Sequence, residues 1–251
     1  MGETTTKAAP SVDPAEIAKF AAMADAWWDP NGEFRPLHRL NPARLTYVRD
    51  SCAARFQRDA KGARPLADLS LIDIGCGGGL LCEPLARLGA TVTGIDAGER
   101  NIAIARTHAA ESELQIDYRE ATAESLAAAG ERFDVVLSME VVEHVADPAG
   151  FLGACAAMVA PGGLLIVATL NRTAKSFALA IVGAEYLLRW LPRGTHDWRR
   201  FLRPSEMAAM IRPQGLTLSE AMGVVYSPIA DNWRLSANDL DVNYMLRFER
   251  N

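Results

Sequence analysis

The sequence predicts an α/β fold in which a mostly parallel, seven-stranded sheet carries helices on both faces. Strand and helix patterns alternate between residues 69 and 170, and two more strand-like segments follow a long interruption. Of the 251 residues, 49% are hydrophobic and 23% are charged, which suits the core of one such domain with some additions. The net charge is -5 and no long basic block occurs, so nucleic acid is not expected as a partner.

The N-terminal part predicts a disordered tail followed by a helical cap. The tail comprises residues 1–12 and the cap residues 13–68. Three residues suit the N-cap, N1 and N3 positions of a first helix: Asp13, Pro14 and Glu16. A second helix is expected over residues 43–56, after a loop at residues 32–42.

Residues 69–251 predict the sheet domain itself. Seven segments have the composition of buried strands: 69–74, 91–95, 114–119, 133–138, 164–170, 216–225 and 242–248. Four segments have helical periodicity: 80–88, 99–110, 148–159 and 204–211. An insert at residues 172–203 interrupts this alternation.

The cysteines and the hydropathy pattern indicate the cellular compartment of the protein. None of the four cysteines, which are Cys52, Cys76, Cys82 and Cys155, forms a CxxC pair, so neither a zinc site nor a disulfide framework is indicated. A reducing, cytoplasmic compartment is therefore expected. No apolar run reaches the roughly 18 residues that a membrane-spanning helix needs.

The loop after the first strand carries a nucleotide-binding pattern. Its D-x-G-x-G-x-G spacing is formed by Asp73, Gly75, Gly77 and Gly79. Glycines allow the backbone to turn tightly and approach a ligand, although a tight turn without a ligand has the same pattern. The dinucleotide fingerprint G-x-G-x-x-G fails because its sixth position is Leu80, which disfavours a nicotinamide oxidoreductase. Asp96 ends the second strand and is placed to bind the ribose hydroxyls of a nucleoside cofactor.

Two glutamates and a histidine follow the fourth strand in the segment SMEVVEHVAD. Glu140, Glu143 and His144 would share one face if the backbone there were helical. Two carboxylates and an imidazole suit Mg²⁺, Mn²⁺, Fe²⁺ or Zn²⁺. A metal-free site would use His144 alone as the base. The glutamates could also simply stabilise the start of a helix.

Longer stretches resemble one family, the ubiquinone biosynthesis O-methyltransferases, which are class I S-adenosylmethionine-dependent enzymes with a Rossmann-like fold. The stretches are WWDPNGEFRPLHRLNPARL (27–45), IDIGCGGGLL (72–81), EHVADP (143–148), TLNRTAKS (169–176), VGAEYLLRWLPRGTHDW (182–198) and DVNYM (241–245). The resemblance implies methylation of phenolic hydroxyls of polyprenylated catechol or benzene-diol intermediates, at both O-methylation steps of ubiquinone biosynthesis.

The resemblance also assigns roles to residues. Cofactor contacts are implied for Arg44, Gly75, Asp96 and Met139, with Arg44 on the methionine carboxylate. The rest of the glycine loop, Asp73, Gly77 and Gly79, joins this set, and Glu124 is placed near the adenine unless it is a solvated helix acid. Glu140, Glu143 and His144 are implied both as catalytic residues and as ligands of a divalent cation, with Mg²⁺ as the first choice.

The composition of the insert predicts a membrane-binding surface. Residues 172–203 hold seven basic and two acidic residues, so their net charge is +5 and that of the remainder is -10. An apolar helix flanked by basic residues is typical of the membrane interface. We expect residues 174–192 to dock on anionic lipid, which makes the protein cytoplasmic and peripherally membrane-associated. A lid packed over the site or a dimer contact is the alternative.

The sequence leaves several interpretations of function and of single residues open. The acceptor atom could be carbon or nitrogen of another small or lipid molecule, or the chain could be a non-catalytic lipid-binding module. His196 is an alternative base, His38 is a weaker one, and His108 is expected on a solvated helix face. Trp27 and Trp28 suit either the site entrance or the core. Other quinone-biosynthesis enzymes are possible partners.

Overall fold

The computed structural model describes residues 11–179, 181, 197–227 and 231–251. Helix α1, Pro14–Ala22, begins as predicted, because the carboxylate of Asp13 accepts a hydrogen bond from the Ala15 N–H at 3.0 Å. Helix α2 is Arg35–Arg55 and starts eight residues before the predicted position. The loop expected at residues 32–42 was therefore wrong.

The early start of α2 has a local cause. Pro36 lies in the first turn, where its missing N–H costs no hydrogen bond, and the buried Leu40 holds the following turn against the core. Pro42 inside the helix interrupts the hydrogen-bond ladder only locally. The side chains of Leu40, Tyr47 and Val48 join the core of the sheet domain.

In the described ranges the sheet has eight strands, in the order β3-β2-β1-β4-β5-β8-β6-β7. The strands are β1 (Ser70–Ile74), β2 (Thr91–Asp96), β3 (Asp117–Glu120), β4 (Phe133–Met139), β5 (Val159–Leu170), β6 (Thr217–Ser227), β7 (Asn232–Ser236) and β8 (Asn243–Glu249). The first five are parallel neighbours, whereas β8 pairs antiparallel with both β5 and β6. The predicted fold class is confirmed, with one strand more than the seven expected.

The additional strand, β7, lies at the edge of the sheet. It pairs only with β6, through five residues, and continues a hairpin. Trp233 and Leu235 pack from this strand against the core. Strand β3 begins three residues later than predicted, because residues 114–116 form the connection into the strand.

Helices cover both faces of the sheet. They are α3 (Cys82–Arg87), α4 (Glu99–Glu111), α5 (Ala123–Ala128), α6 (Pro148–Ala157), α7 (Ala174–Ser176) and α8 (Pro204–Ile211). Side chains of α2, α3 and α4 share one core cluster with the sheet, and those of α5, α6 and α8 share the other. Neighbouring strand residues divide between the two, as Leu71 and Ile72 do, which is the alternation of a sheet buried on both faces.

The described part of the chain contains no helix that is long and apolar enough to cross a membrane. Of the insert, residues 172–179, 181 and 197–203 are described, and the central part of the expected membrane segment lies outside these ranges. Of the expected tail, only Ser11 and Val12 are described, and Ser11 is buried. The division into tail, cap, sheet domain and insert stays a prediction.

Candidate active site

A cavity of about 690 Å³ opens beside the carboxyl ends of the parallel strands. Gly75, Asp96 and Met139, which follow or end β1, β2 and β4, line one part of it. Glu140 and His144 line another part. Apolar side chains from α1, α2, β6 and β7 form the remaining walls, including Ile17, Phe20, Leu37, Val224 and Trp233.

The glycine loop needs its glycines for close packing as well as for its conformation. Gly75 has φ 74°, and an added Cβ would lie 2.5 Å from Cγ2 of Val141. Gly77 has φ 53°, and an added Cβ would lie 2.3 Å from the Trp27 ring. Both positions exclude larger residues, so the loop backbone itself faces the cavity.

Asp96 is held by three donors at the end of β2. Its Oδ2 accepts from the Gly77 N–H at 3.0 Å. Its Oδ1 accepts from the Gly98 N–H at 2.8 Å and from Nδ2 of Asn101 at 3.1 Å. Burial raises the pKa of this carboxyl, and the three hydrogen bonds oppose the rise because they favour the charged form.

Four predicted cofactor residues do not line the cavity: Arg44, Asp73, Gly79 and Glu124. Asp73 is buried and accepts a hydrogen bond from Sγ of Cys82 at 3.4 Å, and burial raises its pKa to about 7. Gly79 faces Tyr118, whose hydroxyl oxygen would lie 2.2 Å from an added Cβ. Glu124 accepts hydrogen bonds from the backbone N–H and the hydroxyl of Ser11. Direct cofactor contacts by these residues stay predictions.

The segment after β4 is not helical at its start, so the condition under which Glu140, Glu143 and His144 would share one face is not met. Glu140 has φ 57°, a left-handed conformation that non-glycine residues rarely adopt. A short 3₁₀ turn then spans Val142–His144. Because of the left-handed residue, the Glu140 carboxylate turns to Arg44, whose Nη2 lies 3.0 Å from its Oε1.

Glu143 is a buried carboxyl with one free oxygen. Its Oε2 accepts from the Thr169 hydroxyl at 2.8 Å, and its Oε1 has no hydrogen-bond partner. Burial raises the pKa of Glu143 well above its ordinary value, and the nearby charge of Glu140 raises it further. This region therefore attracts a proton or a cation.

His144 is oriented by a residue from the other end of the chain. Its Nδ1 lies 2.9 Å from Oε2 of Glu16 in helix α1, and the Phe20 ring meets its ring edge-on at 5.2 Å. The contact with His144 lowers the pKa of Glu16. Sequence reasoning assigned Glu16 only to the start of a helix, because no local pattern connects positions 128 residues apart.

A second cavity, of about 560 Å³, meets the first at this pair. Glu16 and His144 line both cavities. Glu143, Phe177 and Trp198 also line the second. The imidazole therefore lies between the cavity beside the glycine loop and Asp96 and the described ends of the insert, residues 172–179 and 197–203.

The predicted metal ligands do not assemble into a ligand set. Within the described ranges, no three His, Cys, Asp or Glu side chains form a group that could hold a metal ion. Glu140 pairs with Arg44, and His144 pairs with Glu16. The donor chemistry nevertheless fits a divalent cation, because Glu143 keeps a buried, unpartnered oxygen near a second carboxylate.

One of the other histidines has surroundings different from those expected. His108 was expected on a solvated face, but its ring stacks on Trp28 at 3.4 Å and its Nδ1 contacts the fully buried Glu83. His38 contacts the Trp27 carbonyl through Nε2 at 2.8 Å. His196 lies outside the described residues. Trp27 and Trp28 were expected either at the site entrance or in the core, and Trp27 lines the 690 Å³ cavity.

Comparisons with known proteins identify the family and the fold of this chain. Residues 72–167 match the family model described as a methyltransferase domain. A magnesium protoporphyrin IX methyltransferase from Synechocystis, solved with bound S-adenosylhomocysteine, has the same fold. The TM-score is 0.63 at 20% identity, with 93% of this chain and 95% of that one covered.

Two curated relatives cover nearly the whole chain and carry the name ubiquinone biosynthesis O-methyltransferase. The protein from Parvibaculum lavamentivorans is 60% identical over 251 residues, which cover 100% of this chain and 99% of that protein. The protein from Brucella ovis is 56% identical, with 98% and 99% covered. Likeness of this extent, together with the glycine loop and Asp96 beside the cavity, shows that the chain belongs to the ubiquinone biosynthesis O-methyltransferases, a family of class I S-adenosylmethionine-dependent enzymes.

Proposed function

We propose that this protein transfers the methyl group of S-adenosylmethionine to a phenolic hydroxyl of a polyprenylated benzene diol, at both O-methylation steps of ubiquinone biosynthesis. One observation carries the proposal. A single cavity joins the glycine loop and Asp96 to Glu140, His144 and a set of apolar walls. Such a cavity suits a nucleoside cofactor and an acceptor that is polar at one end and apolar at the other.

The cofactor would lie along the carboxyl ends of β1, β2 and β4. We assign the ribose hydroxyls to Asp96 and the close backbone approach to Gly75 and Gly77. Met139, which is buried and lines the cavity, would contact the adenosine or the methyl-bearing sulfonium. Arg44 would bind the methionine carboxylate, since its Nε and Nη2 are buried and lack hydrogen-bond partners.

The acceptor oxygen must attack the methyl carbon in line with the bond that breaks. The phenolic oxygen forms the new C–O bond, the C–S bond breaks, and S-adenosylhomocysteine leaves as a neutral thioether. A free phenol has a pKa of about 10, so at neutral pH its proton must be removed as the bond forms. We assign this proton to His144, whose imidazole lies at the junction of the two cavities.

Glu16 supports this role of His144. If Nδ1–H donates to the Glu16 carboxylate, the neutral ring has Nε2 as its basic nitrogen. The carboxylate also stabilises the imidazolium that forms when the proton is taken. The Phe20 ring packs edge-on against the imidazole and limits its rotation.

The apolar walls would hold the first part of the prenyl chain. Ile17 and Phe20 come from α1, and Val224 and Trp233 come from the edge of the sheet. Leu179 lines the same cavity with 54% of its surface exposed, so it marks an opening beside the insert. A substrate with a shortened chain would lose the contacts with these walls.

A divalent cation is the alternative to His144 as the free base, because an imidazole that holds a cation through Nε2 cannot accept the phenol proton there. Glu140, Glu143 and His144 are the residues that would hold it, and the support is the unpartnered carboxylate oxygen of Glu143. When bound, the cation would lower the pKa of the phenol and hold neighbouring oxygens in place. Removal with a chelator and restoration with Mg²⁺, Mn²⁺ or Zn²⁺ tests this, with thermal unfolding in each metal as a second measurement.

Peripheral membrane binding is proposed for the insert. Its support is the +5 charge of residues 172–203 and the exposure of Phe177 and Leu179, at 47% and 54%. Sedimentation with anionic vesicles tests it, with neutral vesicles as the control. Deletion of residues 174–192 should abolish binding, and retained binding would contradict the proposal. Association with other quinone-biosynthesis enzymes stays a prediction.

The reaction is tested by labelled methyl transfer to a short-chain prenylated catechol. Label on the hydroxyl oxygen is the expected result. Label on carbon, or transfer only to an amine acceptor, would assign the chain to a different methyl acceptor. If the protein binds S-adenosylhomocysteine but transfers label to none of these acceptors, the proposed substrate is wrong and the proposed cofactor site still stands.

A further inference from the structure

The buried amide of Asn101 connects the N-terminal segment to the cofactor site. Its Oδ1 accepts a hydrogen bond from Nε1 of Trp27 at 3.0 Å, and its Nδ2 donates to Oδ1 of Asp96 at 3.1 Å. Asn101 is 3% exposed and Trp27 is 8% exposed. The two residues are 74 positions apart in the sequence.

The direction of this amide is determined by Trp27. An indole N–H can only donate, so Asn101 must present its oxygen to Trp27 and therefore its NH₂ group to Asp96. The flipped amide would place an oxygen against the carboxylate and leave the indole N–H facing a donor. Both contacts would then be lost in a buried site, where unpaired polar groups are costly.

Trp27 itself is held firmly over the glycine loop. Its ring stacks on Phe34 with centroids 3.7 Å apart and an interplanar angle of 5°. The neighbouring Trp28 donates from Nε1 to the Gly78 carbonyl at 2.9 Å. An ion pair between Asp25 and Arg100 connects the same segment to helix α4. The stack on Phe34 and the Trp28 hydrogen bond therefore fix the indole N–H relative to Asn101, whereas the Asp25–Arg100 pair is exposed and contributes little.

We infer that Trp27 and Asn101 are positioning residues of the cofactor site, which act through Asp96 on the ribose of S-adenosylmethionine. Trp27 fixes the amide of Asn101, and Asn101 fixes one oxygen of the Asp96 carboxylate. Asp96 is then preorganised to accept hydrogen bonds from the two ribose hydroxyls. A cofactor without these hydroxyls would gain nothing from the arrangement.

The test is calorimetric binding of S-adenosylhomocysteine to the full chain. Asn101→Ala and Trp27→Phe should each raise the dissociation constant about tenfold. Asn101→Ala removes the donor to the Asp96 carboxylate, and Trp27→Phe removes the bond that fixes the direction of that donor. The double variant should bind no more weakly than Asn101→Ala alone, because both substitutions break the same chain of contacts. For S-adenosylmethionine, the KM should rise while kcat changes little, as expected when ground state and transition state lose the same contact.

Two comparisons separate this role from a structural one. Asp25→Asn removes the ion pair with Arg100 and leaves the Trp27–Asn101 bond, so the dissociation constant should stay within about twofold of the original. For 2′,3′-dideoxy S-adenosylhomocysteine, Asn101→Ala should have no effect. Asn101→Ala keeps the Trp27 ring and its stack on Phe34, so it reports on the amide even if Trp27→Phe folds poorly.

The inference is overturned by any of three results. The first is unchanged affinity in Asn101→Ala. The second is additive losses in the double variant, which would mean that Trp27 and Asn101 act independently. The third is an equal loss in Asp25→Asn, which would mean that docking of the N-terminal segment, and not the direction of the amide, controls the affinity.

Discussion

Nη2 of Arg44 lies 3.0 Å from Oε1 of Glu140, and the two side chains are only 7% and 19% exposed. The pair connects helix α2 to the residue that follows β4. Nε and Nη2 of Arg44 nevertheless have no partner in hydrogen-bonding geometry. A second carboxylate that binds these donors would complete the coordination of a buried guanidinium, which is why we place the methionine carboxylate there.

Arg44→Lys should weaken cofactor binding although it keeps the positive charge. A lysine ammonium cannot supply the paired donors of a guanidinium, so the KM for S-adenosylmethionine should rise about tenfold or more. Steady-state kinetics with varied cofactor measure this. Arg49→Lys in the same helix is the control, because Arg49 pairs only with its exposed neighbour Asp50 and should leave the KM unchanged. An unchanged KM in Arg44→Lys would place the carboxylate elsewhere.

Glu16→Gln should lower kcat by about 10–100-fold, the usual cost of removing the group that orients a functional imidazole. The amide keeps the size of the side chain but no longer stabilises an imidazolium. Stopped assays at saturating cofactor and acceptor measure the change. Lys19→Ala removes the ion pair at 3.6 Å from Glu16 and leaves the Glu16–His144 contact, so it should retain the original kcat. Equal losses in both variants would argue for a general effect on helix α1.

Asp73→Asn should change how stability depends on pH. Burial raises the pKa of Asp73 to about 7, whereas the unfolded carboxyl titrates near pKa ~3.9. The folded state thus binds the proton more tightly, so its contribution is fully present below pH ~3.9 and is lost as the pH rises to about 7. Across that window, ionisation should cost up to ~1.4 kcal/mol of unfolding free energy per pH unit. Asparagine should remove this slope.

Urea unfolding at several pH values tests the Asp73 prediction. Asp231→Asn is a control of opposite sign, because hydrogen bonding by the Tyr226 hydroxyl lowers the pKa of Asp231. Its stabilising contribution is present at higher pH and is lost as the pH falls through the lowered pKa. A slope that Asp73→Asn leaves unchanged would mean that water or a rearrangement stabilises the charged carboxylate.

Gly75→Ala should impair both folding and cofactor binding. The new Cβ would lie 2.5 Å from Cγ2 of Val141, at a residue whose φ is 74°. Strain and overpacking together should lower the unfolding free energy by about 1–3 kcal/mol, and the displaced loop should weaken cofactor binding. Gly130→Ala is the matched control, since Gly130 has φ 78° but no atoms within 4 Å of an added Cβ. Thermal unfolding with and without S-adenosylhomocysteine separates the two effects.

The sequence predicted the strands and helices in which apolar residues follow a regular pattern over the whole element. Strands β1, β2, β4 and β5 are buried on both faces, so their apolar patterns are continuous. Helix α5 was missed because Leu126 is its one large apolar residue, so the segment has no apolar period. Strand β7 was missed because its five residues are partly exposed and pair at the sheet edge with β6. Helix α2 was predicted too short, since its first eight residues include Pro36 and Pro42 and packing of Leu40 on the core stabilises the helix there.

The site was predictable where a local motif carries the chemistry. The glycine loop and Asp96 lie together beside the cavity, as their spacing indicated. The positive φ of Glu140 could not be derived, because glutamate has no preference for that conformation, and it changes which partners the carboxylate meets. The contact between Glu16 and His144 could not be derived either, because it depends on how α1 packs against the end of β4.

The packing of Trp27 on the glycine loop has a consequence for the evolution of these positions. An added Cβ at Gly77 or Gly78 would come within 2.3–2.4 Å of the Trp27 ring. A lineage that acquires alanine at either glycine must therefore first, or simultaneously, acquire a smaller residue at position 27. Position 27 and the two loop positions should consequently covary among homologues, so that a tryptophan near the N-terminus is inherited together with the glycines it covers.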